Sequence, residues 1–95
     1  PGLIPVADRI TVHHAIPKWV LKRCTGLFSA KEINEDRYLR GIYKLTNDEL
    51  HNDRIHNAWE RFYRANRNPA KQDILHQLEK IDDAYGHLFV PTQGK

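Results

Sequence analysis

Cysteine occurs once in this chain, at Cys24. A single thiol builds neither a disulfide framework nor a cysteine metal site, which fits a reducing compartment. No apolar run approaches the roughly 20 residues that cross a bilayer, and no signal-peptide core is visible. Glycine is sparse, with 5 residues and no glycine-rich loop that could cradle a phosphate. Methionine is missing even from the first position, so a chain starting at Pro1 is expected to be a processed or trimmed product, with any targeting sequence out of view.

What is present is a small mixed-charge chain. Its 95 residues make one small domain with a modest core, and a domain of this size commonly needs a staple or a partner. Lysine and arginine exceed the acids to give +3. The charges are interleaved, as in Lys31-Glu32, Glu35-Asp36-Arg37 and Glu60-Arg61, which is the pattern of a solvated, salt-bridged helical surface.

Residues 1–16 read as an extended arm, with Ile10, Val12 and Ile16 set among polar residues in a loosely strand-like way. No second strand is evident, so an arm lying on a partner and a sheet strand are equal expectations. Pro17 suits the first turn of a helix through KWVLKRC, and Gly26 is a natural stop. That helix places Trp19 and Arg23 on one side, beside Val20 and Cys24. Ser29-x-x-Glu32 and Thr46-x-x-Glu49 both spell capping boxes. Between them Tyr38, Leu39, Ile42, Tyr43 and Leu45 recur at helical spacing and predict a short amphipathic helix interrupted by Gly41. A longer helix is expected over 47–67, with Leu50, Ile55, Ala58, Trp59, Phe62 and Ala65 as its stripe. Asn68-Pro69 ends it, and a last helix follows with Ile74, Leu75, Leu78, Ile81, Tyr85 and Leu88 inward and Gly86 as its break. The expectation is an all-α fold of about four helices, one short N-terminal, one short and two longer. Residues 1–16 form the arm, 17–90 the helical domain and 91–95 a frayed tail.

Constellations for chemistry are weak. Six histidines are present, but adjacent His13 and His14 diverge, and His51 and His56 lie about 140° apart around a helix. No HExxH spelling occurs, so no metal is assigned. The carboxylate pairs Glu35-Asp36 and Asp82-Asp83 sit among basic residues and read as helix-surface charge. No catalytic residue and no cofactor are assigned. Arg54, Arg61, Arg64 and Arg67 interleave with Trp59, Phe62 and Tyr63, the sequence mark of a basic nucleic-acid-binding helix. Asp53 and Glu60 interrupt that ridge and the aromatics are needed for packing, which makes nucleic acid the runner-up partner.

The stretch from Gly26 to Arg54 resembles subunit 7 of ubiquinol–cytochrome c reductase (respiratory complex III), the small matrix-side subunit also called the ubiquinone-binding protein. The resemblance is carried, in order, by Lys18-Trp19, Gly26-Leu27, Glu35-Asp36, Ile42, Lys44-Leu45, Leu50, Asp53-Arg54 and Pro69. It covers about residues 17–90. Thr46 stands where the family usually has proline, the charged tail of the family is missing after Lys95, and the arm before Pro17 has no family match.

The resemblance implies a non-catalytic accessory subunit on the matrix side of the mitochondrial inner membrane, without a transmembrane span. Its partners would be cytochrome b and the core subunits, in a hetero-oligomer that touches lipid peripherally and binds no nucleic acid. Its role would be assembly and stability of the ubiquinol-to-cytochrome c electron-transport machinery. On that expectation Lys18, Trp19, Lys22 and Arg23 face the membrane-embedded partner or lipid headgroups, and Asp53 and Arg54 form structural or intersubunit ion pairs. An LYR-type mitochondrial accessory protein ranks third, on Phe62-Tyr63-Arg64, although that tripeptide lies mid-chain and begins with the wrong residue.

Overall fold

A computed structural model describes residues 9–43 and 54–94 of the chain. It corrects the all-α expectation. Three strands, β1 (Ile10–His14), β2 (Leu39–Tyr43) and β3 (Phe89–Val90), form an antiparallel sheet in the order β1-β2-β3. In β1 and β2, Ile10 stands opposite Tyr43 and His14 opposite Leu39, while β3 sets Phe89 against Ile42. The segment read as a short amphipathic helix is therefore the central strand.

The physical reason lies in the side chains. Leu39, Ile42 and Tyr43 satisfy a helical stripe, but isoleucine and tyrosine also favour a pleated surface, and Arg40 and Ile42 fall together on one face at a spacing of two. Gly41 settles the matter through close approach. A Cβ there would stand 2.6 Å from the Val90 carbonyl oxygen and 3.0 Å from Ile10 Cγ2, so both neighbouring strands lie tight against its bare backbone.

The helices are α1 (Val20–Arg23), α2 (Ala30–Ile33), α3 (His56–Ala65) and α4 (Lys71–Tyr85). Of these, α1 and α2 are single turns. The first follows a turn in which the Pro17 carbonyl accepts from the Val20 N–H at 3.1 Å, and Gly26 ends the segment at φ 87°. At α2 the Ser29 hydroxyl accepts from the Glu32 N–H at 3.0 Å, the first half of the capping box. The second half is redirected, because the Glu32 carboxylate takes the Lys71 ammonium at 2.7 Å instead. The expected helix over 47–67 is described from residue 54, where Arg54 and Ile55 lead in through a wider turn. The Thr46–Glu49 capping box, Leu50 and Asp53 lie outside the described residues. In α4 Asp73 caps the first turn by accepting from the Ala70 N–H at 2.8 Å. Its stripe Ile74, Leu78 and Ile81 is buried, as the periodicity requires.

Strand alternation gives the sheet two unlike faces. Ile42 and Phe89 turn inward to a core whose deepest members include Ile16, Val20, Ile33 and Ile74. Ile10, Val12 and Tyr43 share the opposite face, and they are the large apolar residues that remain exposed.

Candidate functional site

Two regions carry the molecule's chemistry-bearing side chains, and both depend on the segment that follows β1. Trp19 stands at the start of α1, and one turn later Arg23 returns over it, its guanidinium carbon 5.2 Å from the indole centroid. The same guanidinium lies 4.9 Å from the Tyr63 ring and 3.7 Å from the Glu60 carboxylate. Trp19 meets Tyr63 edge-on at 5.0 Å and Trp59 at 6.2 Å, and Trp59 meets Phe62 at 5.8 Å. The Arg67 guanidinium carbon also lies over the Tyr63 ring, 5.5 Å from its centroid. The result is a ladder of aromatic rings and arginines joining α1 to α3.

Each rung is worth only about 0.5–1.5 kcal/mol, and the half-exposed Arg23–Glu60 pair contributes under about 1 kcal/mol. Together they hold the short α1 turn where its own length could not. The sequence placed Trp19 and Arg23 on one side of a helix, and the structure brings them together as that spacing requires. Lys18 and Lys22 flank them as exposed cations. Arg54 is exposed in the turn before α3, while its sequence neighbour Asp53 is outside the described residues.

Beneath this ladder lies a cavity of about 270 Å³ between the inner face of the sheet, the segment before α1, and helices α3 and α4. Its apolar wall includes Ile42 and Phe89 from the sheet, Trp59 from α3, and Leu78 and Ile81 from α4. Its polar wall comprises His13, His14, Lys18, Arg40, His56 and Asp82. His14 Nε2 is tied to the Asn34 side-chain oxygen, which fixes that ring between β1 and the end of α2.

Arg40 is the cavity's central polar group and the one buried charged residue among those described, at 8% exposure. Its Nε–H donates to Asp82 Oδ1 at 3.0 Å and its Nη2 to Asp82 Oδ2 at 2.9 Å, a two-pronged pair joining β2 to α4. Nη1 donates to the carbonyl oxygens of Arg37 and Leu39 at 2.8 and 2.9 Å. Four of its five N–H groups are thus engaged. Asp82 was read from the sequence as helix-surface charge, and the structure corrects this: its side chain is 14% exposed and faces inward. The signal was available. Asp82 follows Leu78 by four residues, so it falls on the apolar stripe, and Arg40 shares a strand face with Ile42.

Elsewhere the electrostatics are peripheral. The hydrogen bond from Lys71 holds the Glu32 carboxyl below its ordinary 4.5, with Ser29 and Arg37 adding to the effect. The bond to Glu35 raises Arg37 further. Burial pushes the Cys24 thiol up, against a weaker opposing pull from Arg23. Among the described residues no group of three or more histidine, cysteine or acidic side chains is placed to hold a metal ion. Nor is any helix among them long and apolar enough to cross a membrane.

Comparison with known proteins yields no match: no protein-family model, no curated protein and no solved structure aligns significantly with this chain.

Proposed function

We propose that this chain is a non-catalytic accessory subunit of respiratory complex III, packed on cytochrome b and the core subunits at the matrix side of the inner mitochondrial membrane. The ordered series Lys18-Trp19, Gly26-Leu27, Glu35-Asp36, Ile42 and Asp53-Arg54 supports that assignment through its likeness to the subunit 7 family. The structural observation that carries it is the outer face of the sheet. There Ile10, Val12 and Tyr43 remain 49%, 62% and 44% exposed, side by side across two paired strands.

An aligned apolar face on a small sheet is the hallmark of a surface that a partner covers. Among the described residues β1 pairs with β2 alone, so its second edge is placed to receive a further strand. Lys18 and Lys22 supply exposed cations suited to anionic lipid headgroups, while Arg23 beside them is held by Trp19, Tyr63 and Glu60. The aromatics of α3 are committed to one another and to Trp19, which leaves the exposed Arg61, Arg64 and Arg67 without rings free to stack bases.

The test is retention of the chain in the assembly. The native chain is expected to co-purify with cytochrome b haem absorbance and to migrate with complex III on native gels. The variant Val12→Lys/Tyr43→Lys is expected to fold, since both side chains are exposed, yet to be lost from the complex. Native-like retention of that variant, or a chain that never accompanies haem b, overturns the reading. So would tight RNA binding with a steep salt dependence.

A further inference from the structure

We infer that the cavity between the sheet and helices α3 and α4 is a binding site for a small monocarboxylate with an apolar body. The volume comes first. About 270 Å³ is just below the usual range for small-molecule sites, and it suits a ligand of about ten non-hydrogen atoms. The walls come next. Ile42, Trp59, Leu78, Ile81 and Phe89 offer an apolar surface that an aliphatic chain or single ring would cover.

Charge then selects the head group. The fixed charges on the wall are Lys18 and Arg40 against Asp82, with His13, His14 and His56 as the remaining titratable groups. With neutral histidines the wall carries one cation in excess, which one carboxylate balances. Arg40 supplies a specific contact as well. It is more than nine-tenths buried, and its hydrogen bonds to Asp82, Arg37 and Leu39 engage four of its five N–H groups. The fifth, the second hydrogen on Nη2, has no hydrogen-bond acceptor among the described residues. A buried guanidinium N–H of this kind demands an oxygen, and a carboxylate gives the strongest one.

Asp82 explains why the site takes one charge and no more. Held on Nε and on the other hydrogen of Nη2, it cancels most of the Arg40 field, so a dianion would meet more negative than positive charge. A neutral ligand would fill the apolar walls but leave the excess cation unanswered. Lys18, the exposed cation of the lining, adds the second positive charge that the acid would meet.

The chain holds its own reporters, because Trp19 and Trp59 are its 2 tryptophans and both line the cavity. The experiment titrates the full chain with octanoate, following tryptophan emission, with octanamide and octanedioate as matched neutral and doubly charged probes. Melting temperature is recorded in parallel. The expected result is a saturable one-to-one change with octanoate, at least tenfold weaker for octanamide and for octanedioate, accompanied by a higher melting temperature. Lys18→Gln, an exposed position, should weaken octanoate about tenfold and leave octanamide unchanged. Leu78→Trp fills the space from α4 and should abolish binding of all three probes. Equal affinity for acid and amide refutes the carboxylate assignment. No saturable emission change and no thermal shift means that the cavity holds water only, and overturns the proposal.

Discussion

Replacing Asp82 by alanine tests the central electrostatic argument directly. Asp82 accepts two hydrogen bonds from Arg40, at 3.0 and 2.9 Å, and the two side chains are 14% and 8% exposed. Removing the acceptor leaves a guanidinium inside the fold with no ion-pair partner among the described residues and two more N–H groups unanswered. Breaking a buried pair from one side costs about 3–5 kcal/mol. Asp82 retains some water contact, so the lower end of that range, about 3 kcal/mol, is expected. A domain of this size has roughly 5–15 kcal/mol in total, so the variant should remain folded but lose about 12–24 °C of melting temperature. Urea unfolding followed by circular dichroism measures the loss. Arg40→Met/Asp82→Leu, which replaces both charges with apolar groups, should recover part of it and be less damaged than Asp82→Ala alone. If Asp82→Ala falls within about 1 kcal/mol of the native chain, or the double variant is worse than the single, the pair is not the buried clamp described here.

Three further outcomes follow from separate parts of the molecule. Gly41→Ala sets a methyl 2.6 Å from the Val90 oxygen, and the strands must part to admit it; a loss of about 1–3 kcal/mol is expected in the same unfolding assay, with native-like stability counting against the sheet register. Cys24 is buried with its thiol pushed up by desolvation, so alkylation by iodoacetamide at pH 8 should be far slower in the native chain than in urea, and comparable rates would contradict its burial. Glu32 is depressed in the folded state by Lys71, so its contribution to stability is present above pH 4.5 and is lost as pH falls through the lowered value; Glu32→Gln should flatten that acid limb, and an unchanged slope would remove Lys71 as its partner.

The parts of the fold legible in the sequence were those decided locally. Pro17 and Gly26 bracket α1, Ser29 caps α2, and the stripe Ile74, Leu78, Ile81 marks α4, because each depends on neighbours within a turn or two. The sheet was not legible for the opposite reason. Its strands are short and its partners are distant: β2 is held by residues far before and far after it. Within Leu39–Tyr43 the spacing fits both a helical and a pleated period, and only the tight approach of Ile10 and Val90 at Gly41 distinguishes them. The candidate site divides in the same way. Trp19 and Arg23 were paired by helix geometry, but Arg40 and Asp82 lie on separate elements; Asp82 read as ordinary surface charge and Arg40 drew no reading at all. Their inward facing shows only when each is placed on its own element's apolar side.

The pairing of β2 with both β1 and β3 has a consequence for how the chain is made. Synthesis runs from the N-terminus, so the central strand emerges with only one of its neighbours present, and the inner face of the sheet has no α4 to rest on. The Arg40 guanidinium must wait for Asp82, and Ile42 for Phe89, until nearly the whole described chain has left the ribosome. During that interval the apolar residues of both sheet faces are open together. A holding partner would be of most use at that stage, before the finished domain ever meets its assembly.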